Sequence, residues 1–180
     1  MLHRRMTDQP TRITLSELND ADEAAFVGVL GSIYEHSPWV AARAHADRPF
    51  TDITSLATAM ASRVAAATHA EQDALINAHP DLAGRLARAG ALAPSSAKEQ
   101  AGLGLDRLPD AEFELFDALN TQYRARFGFP FIIAVKRHTR ASVLAAFRAR
   151  LTHDTETERQ TALREIDLIA RLRLDALLAA

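Results

Sequence analysis

The 180-residue chain contains no cysteine. That removes a disulfide framework, a thiolate zinc site and a cysteine nucleophile together, and it fits a reducing compartment. Lysine is scarce as well: among 21 basic residues only Lys98 and Lys136 are lysines. With 23 acidic residues the formal charge is −2, so no global field draws the chain to nucleic acid or to anionic lipid. Long apolar runs are missing too, and none approaches the roughly 18 residues that a membrane helix needs. The first residues, Met1 to Arg12, are polar and lack an apolar centre. They read as a flexible leader over 1–13 rather than a secretory signal. The final Leu177-Leu178-Ala179-Ala180 is not of the peroxisomal Ser-Lys-Leu type. A soluble cytoplasmic protein is expected, acting on a small molecule rather than on nucleic acid or membrane.

What is present is ordinary for a globular domain: 48% hydrophobic and 24% charged residues, near the average for soluble proteins. The length suits one domain, placed at 14–180. Asp20 with Glu23 reads as a capping box opening a helix towards Tyr34. Ser37-Pro38 reads as a cap with proline in the first turn. Asp52 opens a helix carrying Leu56, Met60 and Val64. A helical stretch from about Ala70 must stop near Pro80, since proline disfavours α geometry in the residue before it. Asp81 is expected to start a short helix ending near Gly90. From Asp110 the stripe Phe113, Phe116, Tyr123 and Phe127 marks a helix that Gly128 ends. Val143, Leu144, Phe147 and Leu151 mark another, and Thr155 with Glu158 could cap a last one. Only the segment 129–135, Phe-Pro-Phe-Ile-Ile-Ala-Val, breaks the pattern. Apolar throughout and β-branched after a proline, it reads as a buried extended stretch. The fold class is therefore all-α, a single-domain helical bundle with one short buried extended segment.

Seven histidines raise the question of a metal site, but no pair stands at i, i+4 and there is no H-E-x-x-H, so no metal is expected. His79 differs from the rest because Pro80 holds it out of α geometry just past a helix end. It is either a helix-end histidine favoured by the dipole or an acid/base group fixed at a rigid break. Ser96-Ala97-Lys98-Glu99-Gln100 is equally two-sided. Ser96 with Glu99 three residues on forms a capping-box pattern, and a capped helix start also offers N–H groups to an anion. No G-x-S-x-G elbow exists for serine catalysis. Gly102 and Gly104 follow no strand and form no phosphate loop.

Several segments in order resemble the OHCU decarboxylase family, which acts on 2-oxo-4-hydroxy-4-carboxy-5-ureidoimidazoline. They are Ser37-Pro38-Trp39-Val40, Arg48-Pro49-Phe50, Ala78-His79-Pro80-Asp81-Leu82, Ser96-Ala97-Lys98-Glu99-Gln100 and Phe127 to Ile133, with Ala170-Arg171-Leu172-Arg173-Leu174 in the terminal helix. The likeness runs from about Thr14 to the C-terminus. The resemblance implies decarboxylation to (S)-allantoin in urate breakdown without a cofactor, by a homodimer. It assigns catalysis to His79 and Glu99. Substrate contacts fall to Pro80, to Ser96, Ala97, Lys98, Glu99 and Gln100, and to Phe131, Ile132, Ile133, Ala134 and Val135. Two rivals stand beside it: a non-catalytic helical binding module on the same scaffold, and a decarboxylase of a related ureido or imidazoline acid.

Overall fold

The computed structural model describes residues 13–178; the leader's first twelve residues, His3 among them, lie outside the described part. Ten α-helices follow in order: α1 Leu15–Asp20, α2 Glu23–Leu30, α3 Trp39–Ala44, α4 Ile53–Ala65, α5 His69–Asn77, α6 Arg85–Arg88, α7 Pro94–Gly102, α8 Asp110–Phe127, α9 Arg140–Arg150 and α10 Thr155–Leu177. Single 3₁₀ turns stand at His45–Asp47, Leu105–Arg107 and Val135–Arg137. No strand occurs among the described residues, so the class is all-α. An isolated parallel bridge joins Ile13 to Leu178, which ties residue 13 into the fold. No described helix is long and apolar enough to cross a membrane.

Local chemistry explains where most helices start. Asp52 accepts from the Ser55 N–H at 2.6 Å while Ser55 Oγ faces back to the Asp52 N–H, closing a capping box on α4. Thr68 with Glu71 does the same for α5, and Thr139 with Ser142 for α9. At the far end of α8, Gly128 takes φ +80°, a left-handed turn that glycine adopts without a Cβ penalty. Leu56, Met60 and Val64 of α4, Leu75 and Ile76 of α5, and Phe116 and Tyr123 of α8 are all buried. They surround the long α10, which packs on α4, α5 and α8 through Ala162, Ile166, Ala170 and Leu174.

Four expected helix starts are corrected. Asp20 caps nothing: α1 ends there, and Asp22 caps α2 by accepting from the Ala25 N–H at 2.8 Å. The helix ends at Leu30, short of Tyr34. Ser37 Oγ donates to the Glu35 carbonyl at 2.9 Å instead of capping α3. Asp81 pairs with Arg124 at 2.8 Å, and the helix after it is delayed to Arg85. Asp154, not Thr155, caps α10, because Glu158 is drawn inward. That carboxylate is fully buried and accepts from Arg150 Nε at 2.7 Å, from His153 Nδ1 at 2.7 Å and from the Tyr123 hydroxyl.

The segment after α8 is buried from Phe129 to Val135 and irregular to Ala134, with Val135 already in a 3₁₀ turn. Two side chains fix it from behind. Arg150 Nη1 donates to the Ile132 carbonyl at 2.7 Å, and its guanidinium lies 4.4 Å from the Phe131 ring centre. Glu165 accepts from the Ala134 N–H at 2.8 Å. Buried backbone groups must find partners, and these contacts supply two of them, to the Ile132 carbonyl and the Ala134 N–H, where no ladder exists.

Candidate active site

His79 follows the C-terminus of α5, where Pro80 prevents the helix from continuing. Its ring is buried, with 6% exposure. Nδ1 lies 3.0 Å from the Leu75 carbonyl, one of the acceptors left open at a helix end. A carbonyl can only accept, so Nδ1 carries the proton and Nε2 is left as a base. The helix-end reading and the acid/base reading therefore use different nitrogens of one ring. Burial holds the imidazole below the usual histidine range. The Leu75 hydrogen bond and the carboxylates of Glu35 and Glu99 work against that, and Arg173 works with it.

The loop that follows is held in place by polar side chains. Gln100 accepts from the Ala83 N–H at 2.8 Å and lies 3.4 Å from the Asp81 carbonyl. Asn120 donates to the Leu82 carbonyl at 2.8 Å. Ala83 sits at φ +50°, a region a residue with a Cβ enters only when its surroundings enforce it.

The capping-box expectation for Ser96 and Glu99 does not survive. Helix α7 starts three residues earlier, with Ala93 in the cap position, Pro94 in its first turn and no side-chain cap. By Ala97 the N–H groups are already bonded within the helix, to the Ala93 carbonyl at 2.8 Å, which leaves little of the expected anion nest. Glu99 is instead gripped by Arg173 of α10: Nε to Oε1 at 2.8 Å and Nη2 to Oε2 at 2.9 Å. The other edge of the guanidinium donates from Nη1 to Glu35 Oε2 at 2.9 Å. Ser96 Oγ donates to Glu35 Oε1 at 3.0 Å. Burial opposes the charge on Arg173, but Glu99 and Glu35 outweigh it and raise its pKa further.

These groups meet at a small pocket of about 30 Å³ lined by His79, Pro80, Leu82, Ser96, Glu99, Gln100, Phe131, Ile132, Ile133, Val135, Ile169 and Arg173. It gathers nine of the twelve residues singled out in the sequence by resemblance. Ala97 and Lys98 are not in its wall; Lys98 borders a separate cleft with Lys136. Ala134 is also outside it, and its N–H is taken by Glu165. A larger cleft of about 500 Å³ shares only His79 and Pro80 with the pocket. We place the chemistry in the small pocket, because the buried acid, base and cation converge there.

Sequence reading missed Arg173 and Glu35 as members of the site. Arg173 could have been noticed: it continues the buried stripe Ile166, Ile169, Ala170 of α10, where a cation demands a buried partner. Glu35 carries no such signal, since it lies between two helices. Among the described residues no group of three or more His, Asp or Glu side chains could hold a metal ion.

Comparison with known proteins identifies the family. The OHCU decarboxylase family profile matches residues 19–175. A 2-oxo-4-hydroxy-4-carboxy-5-ureidoimidazoline decarboxylase of Halalkalicoccus jeotgali is 46% identical over 167 residues, covering 93% of this chain and 93% of its own. The protein of that name from Haloferax volcanii is 44% identical, covering 90% of this chain and 94% of its own. Among solved structures, an (S)-allantoin synthase superposes with TM-score 0.74 at 34% identity, over 92% of this chain and 54% of that one. An OHCU decarboxylase crystallised with (S)-allantoin shares the fold, at TM-score 0.63 and 18% identity over 89% of this chain and all of that one. The chain belongs to the OHCU decarboxylase family.

Proposed function

We propose that this protein decarboxylates 2-oxo-4-hydroxy-4-carboxy-5-ureidoimidazoline to (S)-allantoin in urate breakdown, without a cofactor, as a cytoplasmic homodimer. The observation that carries the reading is the meeting of a buried His79 with the Glu99–Arg173 pair in one pocket.

The substrate brings its own electron sink. When the bond between the ring carbon and its carboxylate breaks, CO₂ leaves. The bonding pair passes into the ring and onto the adjacent imine nitrogen, which takes up the one proton that enters, giving a neutral enediol-like species. Elsewhere pyridoxal or thiamine provides that sink. The enediol then loses its hydroxyl proton as the ketone forms, and the neighbouring ring carbon gains one. Carboxylate and one proton go in; CO₂ and a neutral product come out. The protein must orient the acid and manage three proton transfers, onto the imine nitrogen, off the hydroxyl and onto the ring carbon. We assign Arg173, the one permanent cation in the pocket wall, to drawing in the carboxylate through its charge, since its N–H groups already face Glu99, Glu35, Ser96 and the Ile33 carbonyl. His79 Nε2 serves the hydroxyl-bearing carbon as acid/base, and Glu99 is its partner in the proton transfer. The backbone of Phe131 and Ile133 is assigned to the ureido and ring amides, since the Ile132 carbonyl and the Ala134 N–H already have partners.

The direct test is to add purified protein to freshly oxidised urate and follow CO₂ release. A rate well above the spontaneous decay supports the reading; a rate equal to it leaves the binding-module alternative. Sedimentation at about twice 19.7 kDa would support the dimer.

A further inference from the structure

Arg173 has no donor to spare. Its five N–H groups are directed at Glu99 Oε1 (2.8 Å), Glu99 Oε2 (2.9 Å), Ser96 Oγ (3.4 Å), Glu35 Oε2 (2.9 Å) and the Ile33 carbonyl (3.2 Å). Two carboxylates on one guanidinium leave this buried cluster with one net negative charge while His79 is neutral. Glu99 reaches it from the pocket wall. Glu35 does not line that pocket; it grips the opposite edge of Arg173 and also takes the Ser96 hydroxyl. With 4% exposure, its charge is poorly screened.

A decarboxylase gains nothing from holding the carboxylate tightly. The charge leaves that spot as CO₂ forms, so a strong ground-state grip adds to the barrier. Glu99 alone would neutralise Arg173; the second carboxylate, Glu35, makes the cluster net negative and so opposes such a grip. Resting on the function proposed above, we infer that Glu35 is a positioning residue that weakens the hold of Arg173 on the substrate carboxylate while keeping the guanidinium oriented. Of the other charged groups nearby, Asp81 is paired with Arg124, Arg85 and Asp117 stand in the outer cleft that Glu35 also borders, and Lys98 and Lys136 line the cleft on which Glu99 and Arg173 open.

The test compares wild type with Glu35→Gln, which keeps an acceptor for Arg173 and removes only the charge. Two ligands are titrated beside the substrate: neutral allantoin, and diureidoacetate, its ring-opened carboxylate. For Glu35→Gln the account expects KM and the diureidoacetate Kd to fall about tenfold. The allantoin Kd should not move, and kcat should fall by more than KM. A merely structural role would weaken both ligands together, and that result, or an unchanged kcat, overturns the inference. If Glu35→Gln does not fold, Glu35→Asp decides. With the charge retained, kcat should stay within about threefold of wild type, and a loss of two orders of magnitude overturns the account. Failure of the wild type to turn over the substrate sinks the proposed function itself; normal wild-type turnover with a parallel loss in the variant sinks only this inference.

Discussion

The Leu75 carbonyl takes the Nδ1 proton of His79, and this bond decides what the residue can do. It fixes the tautomer and the ring plane, so a base is presented without a carboxylate orienter. Replacing His79 by Asn removes the proton-transfer group, and turnover should fall about 10²–10⁴-fold. The lost cap should cost about 1 kcal/mol, which a thermal melt would register as a drop of a few degrees. The pH dependence has a definite sign. Because burial lowers the pKa from its usual 6.5, the unfolded chain takes a proton below that pH which folded His79 refuses. The stabilising contribution is present in full above 6.5 and is lost as pH falls towards the folded value. The acid limb of kcat/KM should likewise lie below 6.5 and should be the part of the profile that His79→Asn abolishes. Glu99→Gln separates chemistry from packing. The amide still accepts one N–H from Arg173 but cannot move a proton. Turnover should fall by about two orders of magnitude or more, and stability by about 1–3 kcal/mol, measured by chemical denaturation. Wild-type turnover in this variant would remove Glu99 from the chemistry.

Between residue and fold stand the elements that hold the site, and here the physical reasons for success and failure of sequence reading separate. The start of α4 at Asp52 and the stop of α8 at Gly128 were legible, because each rests on a contact within four residues. So was the buried, non-helical stretch from Phe129, whose unbroken apolar run admits no amphipathic helix. The pairs Ser96 with Glu99 and Thr155 with Glu158 have the same spacing as a true capping box. Their glutamates turn away to arginines outside the capping turn, Arg173 at 74 residues and Arg150 on the preceding helix at 8. A local pattern cannot announce a distant partner. Among site residues, His79 and Glu99 were reached through family likeness, since spacing left each with a plain structural role. Arg150 gives the element-scale prediction. Its Nη2 also lies 2.6 Å from Glu158 Oε1, though off the hydrogen-bond direction. Arg150→Met would strand the buried Glu158 charge and free the Ile132 carbonyl. It should cost about 3–5 kcal/mol and raise KM through the loosened segment, both read from denaturation and steady-state kinetics. An unchanged KM in folded protein would show that the segment does not depend on Arg150.

At the scale of the whole molecule, ten helices bring together groups that are far apart in sequence: His79 after α5, Glu99 on α7, Arg173 on α10 and Glu35 between α2 and α3. The cation and the two acids reach each other only once α10 has docked, so the site should assemble with the fold rather than ahead of it. Activity is expected to survive dialysis against a strong chelator, measured as CO₂ release; a loss restored by added zinc or manganese would refute a cofactor-free reaction. The central claim is that this pocket controls proton delivery as well as loss of CO₂. Spontaneous decay of the intermediate has no chiral guide and gives both enantiomers of allantoin. Circular dichroism of the product formed with the protein present tests the claim most directly. The account predicts a single sign of signal, that of (S)-allantoin, appearing at the rate of CO₂ release. Racemic product formed at an accelerated rate would contradict it.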